Sequence, residues 1–494
     1  MKKVASGIFP ILTIDRDAPT ALHRQIYERY RTAIVEGQLL PSQRIPSSRT
    51  LASELGVSRF PVLNAYDQLL AEGYIESRAG AGMVVSSSIP DQITSPQPAS
   101  AMFQVARTGP RPVARRSSIL PRFEKPPWLR GLGALRVAQV ASDQFPLHIW
   151  SRLVARRCRN MDAKSFHYGD QLGSKAIREA IASYLRTARS LRCQAEQIMI
   201  VSGSQQALEI TARVLLDPGS RVWIEEPGYR MAGDVLALAG CRLIPVSVDT
   251  EGLDVAEGIA LCPKARAAFV TPSHQFPLGV TMSASRRLRL LDWAQSSGSW
   301  IIEDDYDSEY RYQSMPIAAL QGLDANARVI YIGTFSKVLF PSLRLGYVVI
   351  PLDLVDRFRT IRRAMDLGPP NFYQDVVADF INEGHFARHI RRMRVLYRER
   401  RSSLVESIQK ELNNMVEILG DEAGMHLAVR LLGCRACDLE IAERAARQNL
   451  WLWPLSSAYA GTTAPQGFIL GFASTPVTEI PGAVRKLRNL LTTK

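Results

Sequence analysis

The chain has 494 residues, 46% of them hydrophobic and 22% charged, values that fit a globular protein and exclude a disordered one. That length exceeds what one ordinary core fills, so two or three domains are expected. No apolar run approaches the about 18 residues of a membrane span, and the opening M-K-K-V-A-S-G-I-F-P lacks a signal peptide's apolar stretch, which predicts a cytoplasmic protein. The six cysteines are scattered (158, 193, 241, 262, 434 and 437), as expected of reduced thiols. Only Cys434 and Cys437 are close, and a lone C-x-x-C is a weak metal or redox signal, so no metal is expected. A net charge of +14 permits nucleic-acid binding without requiring it.

In chain order, the first predicted helix carries Leu22, Ile26, Tyr30 and Ile34 at four-residue spacing and closes at Gly37. Pro41 and Pro46 interrupt the chain. Ser47 or Ser48 then caps a short helix with Leu51, Ala52 and Leu55 that stops at Gly56. Ser58 opens a third helix with Val62, Ala65, Tyr66, Leu69 and Leu70 inward. Y-I-E-S-R-A-G-A-G-M-V-V reads as a hairpin around Gly80 and Gly82. This order predicts a winged helix-turn-helix over residues 1–88. Arg49 and Arg59 then start the two helices that meet DNA, with Arg44 and Arg78 near phosphates. A small helical protein-binding domain would show the same pattern. The runs I-P-S-S-R-T-L-A-S-E-L-G-V-S-R, A-Y-D-Q-L-L-A-E-G-Y-I and R-A-G-A-G resemble the GntR-type winged helix. The resemblance implies reading of double-stranded operator DNA by Arg49, Ser58 and Arg59, with the wing tip at Gly80. Phe60-Pro61 departs from that family's usual small polar residues; Pro61 suits a first helical turn.

Residues 86–140 hold S-S-S, eight prolines and R-P-V-A-R-R with no sustained apolar period, so a linker is expected over 89–142. Residues 86–145 carry eight Lys/Arg against three Asp/Glu, a balance suited to loose contact with a DNA backbone or simply to a solubilising spacer.

Beyond Asp143 the texture alternates. Short β-branched runs (197–201, 221–224, 267–270, 300–302, 329–332 and 346–350) are separated by helical stretches. That predicts a large α/β domain over 143–494, with a mostly parallel sheet and chemistry at the carboxyl ends of its strands. V-S-G-S-Q-Q-A-L turns at Gly203 into a helix whose free N–H groups suit an anion. W-I-E-E-P-G-Y sets Tyr229 where a ring can stack on a flat cofactor. W-I-I-E-D-D-Y-D places acids and Tyr306 after a strand. I-G-T-F-S-K-V-L-F-P-S-L-R-L-G-Y sets Lys337 among Thr334, Ser336 and Arg344. A partly buried lysine favours its neutral, nucleophilic amine, and the hydroxyls and arginine offer donors to a phosphate. An ordinary lysine in a surface turn fits the spacing equally well.

Together these segments resemble fold-type-I aminotransferases. Joined to a GntR-type head, they resemble the MocR/GabR group of bacterial regulators over essentially the whole chain. The resemblance implies pyridoxal 5′-phosphate as cofactor, linked to Lys337, with Asp304 on its pyridine nitrogen, Tyr306 on its ring hydroxyl and Tyr229 stacked on the ring. Gly203, Ser204, Gln205, Thr334, Ser336 and Arg344 hold the phosphate, and Tyr168 reaches the phosphate of a neighbouring subunit in a head-to-tail homodimer. Phe276 replaces the asparagine of an enzyme's N-P-T-G, and Ile469 stands where a substrate-carboxylate arginine is expected. Little turnover is therefore implied, and the signal is an amine effector or the cofactor itself. The alternative is a working aminotransferase with an accessory head.

Overall fold

The computed structural model describes residues 13–78, 82–88, 112–120, 125–130, 133–312, 318–420, 422–433, 437–461 and 464–492. Gly80 and Cys434 lie outside them. The chain divides into two compact units, Met1–Pro112 and Val113–Lys494.

In the first unit, α1 (Leu22–Val35), α2 (Ser48–Leu55) and α3 (Arg59–Ala71) precede a hairpin of β1 (Ile75–Arg78) and β2 (Gly82–Val85). Helix α2 is delimited as its sequence asks. The Ser47 hydroxyl accepts from the Thr50 N–H, and Gly56 ends the helix in the left-handed region at φ 63°, which glycine adopts without a Cβ penalty. Ile26, Ile34, Leu51, Val62 and Leu69 form the core, and Tyr30 meets Tyr66 edge-on at 5.7 Å.

The second unit is built on an eight-stranded sheet in the order β3-β10-β9-β8-β7-β4-β5-β6. These strands are β3 (Ile198–Val201), β4 (Arg221–Glu226), β5 (Arg242–Asp249), β6 (Gly252–Leu253), β7 (Ala267–Val270), β8 (Trp300–Asp305), β9 (Val329–Thr334) and β10 (Gly346–Val349). Strands β5, β4, β7, β8 and β9 run parallel. Strand β10 is antiparallel to both its neighbours, β9 and β3, so β3 and β9 point the same way. The alternation of side chains decides which core each residue joins. Ile198 and Ile200 face one cluster, while Met199 and Val201 face another beneath the helix Ser204–Leu215. Both faces are covered, which is why these strands read as continuous apolar runs instead of alternating ones.

A smaller antiparallel sheet follows, in the order β11-β12-β14-β13, from β11 (Val416–Leu419), β12 (His426–Leu431), β13 (Trp453–Pro454) and β14 (Gly467–Gly471). Trp128, Leu135 and Val140, which composition assigns to the linker, are buried in the large unit's main core. Ala134 bridges Leu450, and the Leu135 N–H donates to Thr475 Oγ1 at 2.9 Å. Their apolar residues are too sparse to show a period, so composition hides them. No helix among the described residues is long and apolar enough to cross a membrane.

Candidate functional site

In the large unit the candidate residues gather where parallel strands end. Gly203 follows β3, Tyr229 follows β4, Asp304 is the penultimate residue of β8, and Lys337 lies just past β9. Gly203 adopts φ +99°, and a Cβ there would meet the Arg344 guanidinium at 3.3 Å. Arg344, itself left-handed at φ 50°, donates to the Ser202 carbonyl at 2.7 Å. The helix Ser204–Leu215 therefore opens with free N–H groups beside a guanidinium, an anion-binding arrangement. Gln205 Nε2 donates to Tyr229 Oη at 3.4 Å, and Thr334 Oγ1 accepts from the Ser336 N–H at 3.1 Å. Tyr229 lies within electrostatic reach of both Asp304 and Arg344, and burial raises its pKa.

Lys337 Nζ is partly buried and donates to the Ala138 carbonyl at 3.4 Å. Loss of hydration lowers its pKa, against the opposing pull of Asp307 and Asp304. The amine is thereby shifted toward its nucleophilic form.

The acids of E-D-D-Y-D, indistinguishable in sequence, separate by their partners. Glu303 accepts the Leu320 and Gln321 N–H groups. Asp305 Oδ2 takes Arg189 Nε at 2.8 Å and the Tyr331 hydroxyl at 2.5 Å. Asp307 Oδ2 accepts the Met425 N–H at 3.2 Å. Asp304 differs in accepting no hydrogen bond among the described residues. Its Oδ1 is buried without a partner, as Asp305 Oδ1 also is, and burial, then Asp305, pushes its pKa up to about 7, the level to which burial also raises Glu303.

Tyr306 Oη stands 3.0 Å from His274 Nδ1, which is 3.1 Å from Asp307 Oδ1. Sequence reasoning did not assign a role to His274, Asp307 or His426. The signal available was the histidine inside T-P-S-H-Q-F-P, but only the fold brings it to Tyr306. Tyr168 is 86% exposed. Phe276 packs edge-on near Tyr229, His426 and Trp453 at 5.4–5.9 Å. Ile469 is fully buried with Val137, Ala428 and Leu455.

In the winged-helix unit Arg44, Arg49, Ser58, Arg59 and Arg78 are all exposed. Arg59 Nε donates to Ser48 Oγ at 3.0 Å, tying the starts of α2 and α3 together, and Arg78 pairs with Glu76. Phe60 is 70% exposed, so it does not serve the core.

Residues 22–85 match the bacterial regulatory proteins of the gntR family, and residues 140–457 match aminotransferase class I and II. The chain is 40% identical over 97% of its length, and 95% of the relative's, to the probable rhizopine catabolism regulatory protein MocR of Rhizobium meliloti. The chain belongs to the MocR-type family of transcription regulators. Another relative of this MocR-type chain is the pyridoxine biosynthesis transcriptional regulator PdxR of Corynebacterium glutamicum, 31% identical over 94% of each chain. Among solved structures, a multiple substrate aminotransferase from Thermococcus profundus aligns with 77% of this chain and 97% of its own, at a TM-score of 0.71 and 25% identity. LysN of Thermus thermophilus, an alpha-aminoadipate aminotransferase complexed with N-(5′-phosphopyridoxyl)-L-leucine, aligns at a TM-score of 0.68 and 27% identity, covering 73% of this chain and 93% of that one. The large unit thus has the fold of pyridoxal-phosphate-dependent aminotransferases, and the match to MocR-type regulators spans both units.

Proposed function

We propose that this regulator holds pyridoxal 5′-phosphate at Lys337 in its large unit and reads double-stranded operator DNA with α2, α3 and the wing. Its signal is the cofactor itself or an amine effector. The observation that carries the reading is Asp304: a buried carboxylate whose Oδ1 has no partner among the described residues and whose pKa is pushed up to about 7. A protonated pyridine nitrogen would supply both the missing donor and the missing counter-charge. The rest of the donor set fits the same group. Arg344, Ser204, Gln205, Thr334, Ser336 and the Gly203 turn suit its phosphate, Tyr306 its ring hydroxyl, and Tyr229 its ring face.

When bound, the cofactor supplies an aldehyde that a lysine or an incoming amine can engage and a ring that withdraws electrons. The chain's own residues do the remainder. Burial keeps the Lys337 amine ready to attack. Phe276 and Trp453 pack against the buried cluster that holds Ile469, and neither Phe276 nor Ile469 can supply the forked cation that grips a carboxylate, a contact worth about 1.5–3 kcal/mol. Without that grip, an amine lacking an α-carboxylate is favoured, and so is exchange at Lys337 over sustained transamination. On this reading Tyr168, exposed in one chain, reaches the site of a second copy in a cytoplasmic homodimer.

The test is direct. Purified full-length protein should show the visible absorbance of lysine-bound cofactor, and Lys337→Ala should abolish it; no such band in the wild type would overturn the reading. Steady production of oxo acids from amino acids would instead establish the aminotransferase alternative. Gel shifts on the DNA upstream of its own gene should weaken in Arg59→Ala.

A further inference from the structure

Resting on the cofactor reading above, we propose that His274 and Asp307 are positioning residues that aim the Tyr306 hydroxyl proton at the cofactor's ring oxygen. With Phe276 in place of asparagine, Tyr306 is the donor to that oxygen which they orient. One nitrogen decides the arrangement. His274 Nδ1 lies 3.0 Å from Tyr306 Oη and 3.1 Å from Asp307 Oδ1, and both His274 and Asp307 are 1% exposed. A neutral imidazole carries a proton on one of its two nitrogens. A carboxylate beside Nδ1 accepts and cannot donate, so the tautomer bearing the proton on Nδ1 satisfies it. His274 Nε2, buried with no partner among the described residues, then carries no proton that needs an acceptor. With Nδ1–H shared between Asp307 Oδ1 and Tyr306 Oη, the tyrosine oxygen accepts from His274. Its own proton must then point away from His274, which leaves it to donate to the cofactor's ring oxygen.

The surroundings hold this arrangement in place. Asp307 Oδ2 is fixed by the Met425 N–H. Gly424 leaves room for the imidazole, since a Cβ there would lie 2.0 Å from His274 Cε1. His426 packs against His274 with ring centroids 4.8 Å apart, and its Nε2 lies 3.3 Å from the Pro277 carbonyl. His274, Asp307 and His426 bring potential ligand atoms within 4.8 Å of one another. His274 Nδ1 and His426 Nε2 are engaged in these contacts, while His274 Nε2 stays without a partner among the described residues. Among the described residues, the other charged and titratable groups that reach this corner include Asp304, Asp305, Glu225, Lys337, Arg311 and the Tyr310 and Tyr312 hydroxyls.

The test is a spectrophotometric pH titration of full-length protein loaded with pyridoxal 5′-phosphate. A donor to the ring oxygen stabilises its anionic form, so removing it makes the bound cofactor keep its proton to higher pH. Tyr306→Phe should raise the midpoint of the visible band by about one pH unit. His274→Ala and Asp307→Asn should shift it the same way by less, and should add little on top of Tyr306→Phe. His274→Asn places an amide N–H where Nδ1–H lies and should restore a midpoint near the wild type, an outcome that a merely structural role would not produce. An unmoved midpoint in both His274→Ala and Asp307→Asn would overturn the proposal, as would shifts fully additive with Tyr306→Phe. Should His274→Ala fail to fold, Asp307→Asn and His274→Asn carry the same comparison. Loss of the band in Lys337→Ala alongside unmoved midpoints would remove this coupling alone, whereas absence of the band in the wild type would remove the cofactor reading beneath it.

Discussion

Asp304 costs the cofactor-free protein stability. Its folded pKa, raised to about 7, exceeds the ordinary carboxylate value, so between about pH 4 and pH 7 the folded chain holds a proton that the unfolded chain has released. Stability contributed at this position therefore falls as pH rises through that window and stays low above it. Asp304→Asn should make the cofactor-free protein more stable at pH 8 by roughly 2–4 kcal/mol, with the gain shrinking toward pH 4. The same variant should bind the cofactor more weakly. Thermal melts at both pH values, with and without cofactor, check the crossing; a variant no more stable than wild type at pH 8 would show that Asp304 is not held as a strained anion. Sequence could name the acidic cluster but not this division of labour. Arg189 and Tyr331, which occupy Asp305, come from 116 and 26 positions away, and nothing in the local pattern of W-I-I-E-D-D-Y-D announces them.

At the scale of elements, the three helices and the hairpin of the first unit were legible because each has its own punctuation. Ser47 and Gly56 mark ends of α2 that backbone chemistry enforces locally, while Ser58 holds the N-cap position of α3 without a side-chain capping hydrogen bond. The parallel strands were legible from short apolar runs, while the pairing of β10 antiparallel to both neighbours depends on contacts far apart in sequence. The segment 133–142 was not legible, since its few apolar residues fill gaps in a core built by other elements. Helix α3 carries a testable surplus. Phe60 is exposed beside Arg59 at the start of this helix, where a ring gains nothing from folding and suits a thymine methyl in the major groove. Phe60→Ala should leave the melting temperature unchanged and weaken operator binding several-fold, by about 1 kcal/mol, with binding to unrelated DNA unaltered. A matched fall on both DNAs would reassign the ring to general contact. Ser47→Ala, by contrast, removes the cap of α2 and should cost about 1 kcal/mol of stability, seen as a lower melting temperature.

For the whole molecule, a regulator requires that cofactor or effector binding in the large unit change the affinity of the winged-helix unit for DNA. Such coupling is reciprocal by thermodynamic necessity. If loading the cofactor tightens operator binding tenfold, about 1.4 kcal/mol, then saturating operator must tighten cofactor binding tenfold as well. Both sides are measurable, the first by gel shift and the second by titrating the visible band with and without operator DNA. If the basic stretch 86–145 contacts the DNA backbone, it adds to the absolute affinity alone. Replacing Arg107, Arg111, Arg115 and Arg116 by glutamine should lower binding to any DNA and flatten its salt dependence, by up to about 0.9 in logarithmic slope for each phosphate no longer neutralised. It should leave the ratio between loaded and unloaded protein unchanged. A ratio that collapses in this variant would make the linker part of the switch. A ratio of one in the wild type, measured from both sides, would mean that the cofactor is carried without being read, because a ligand with no preference between two states shifts neither.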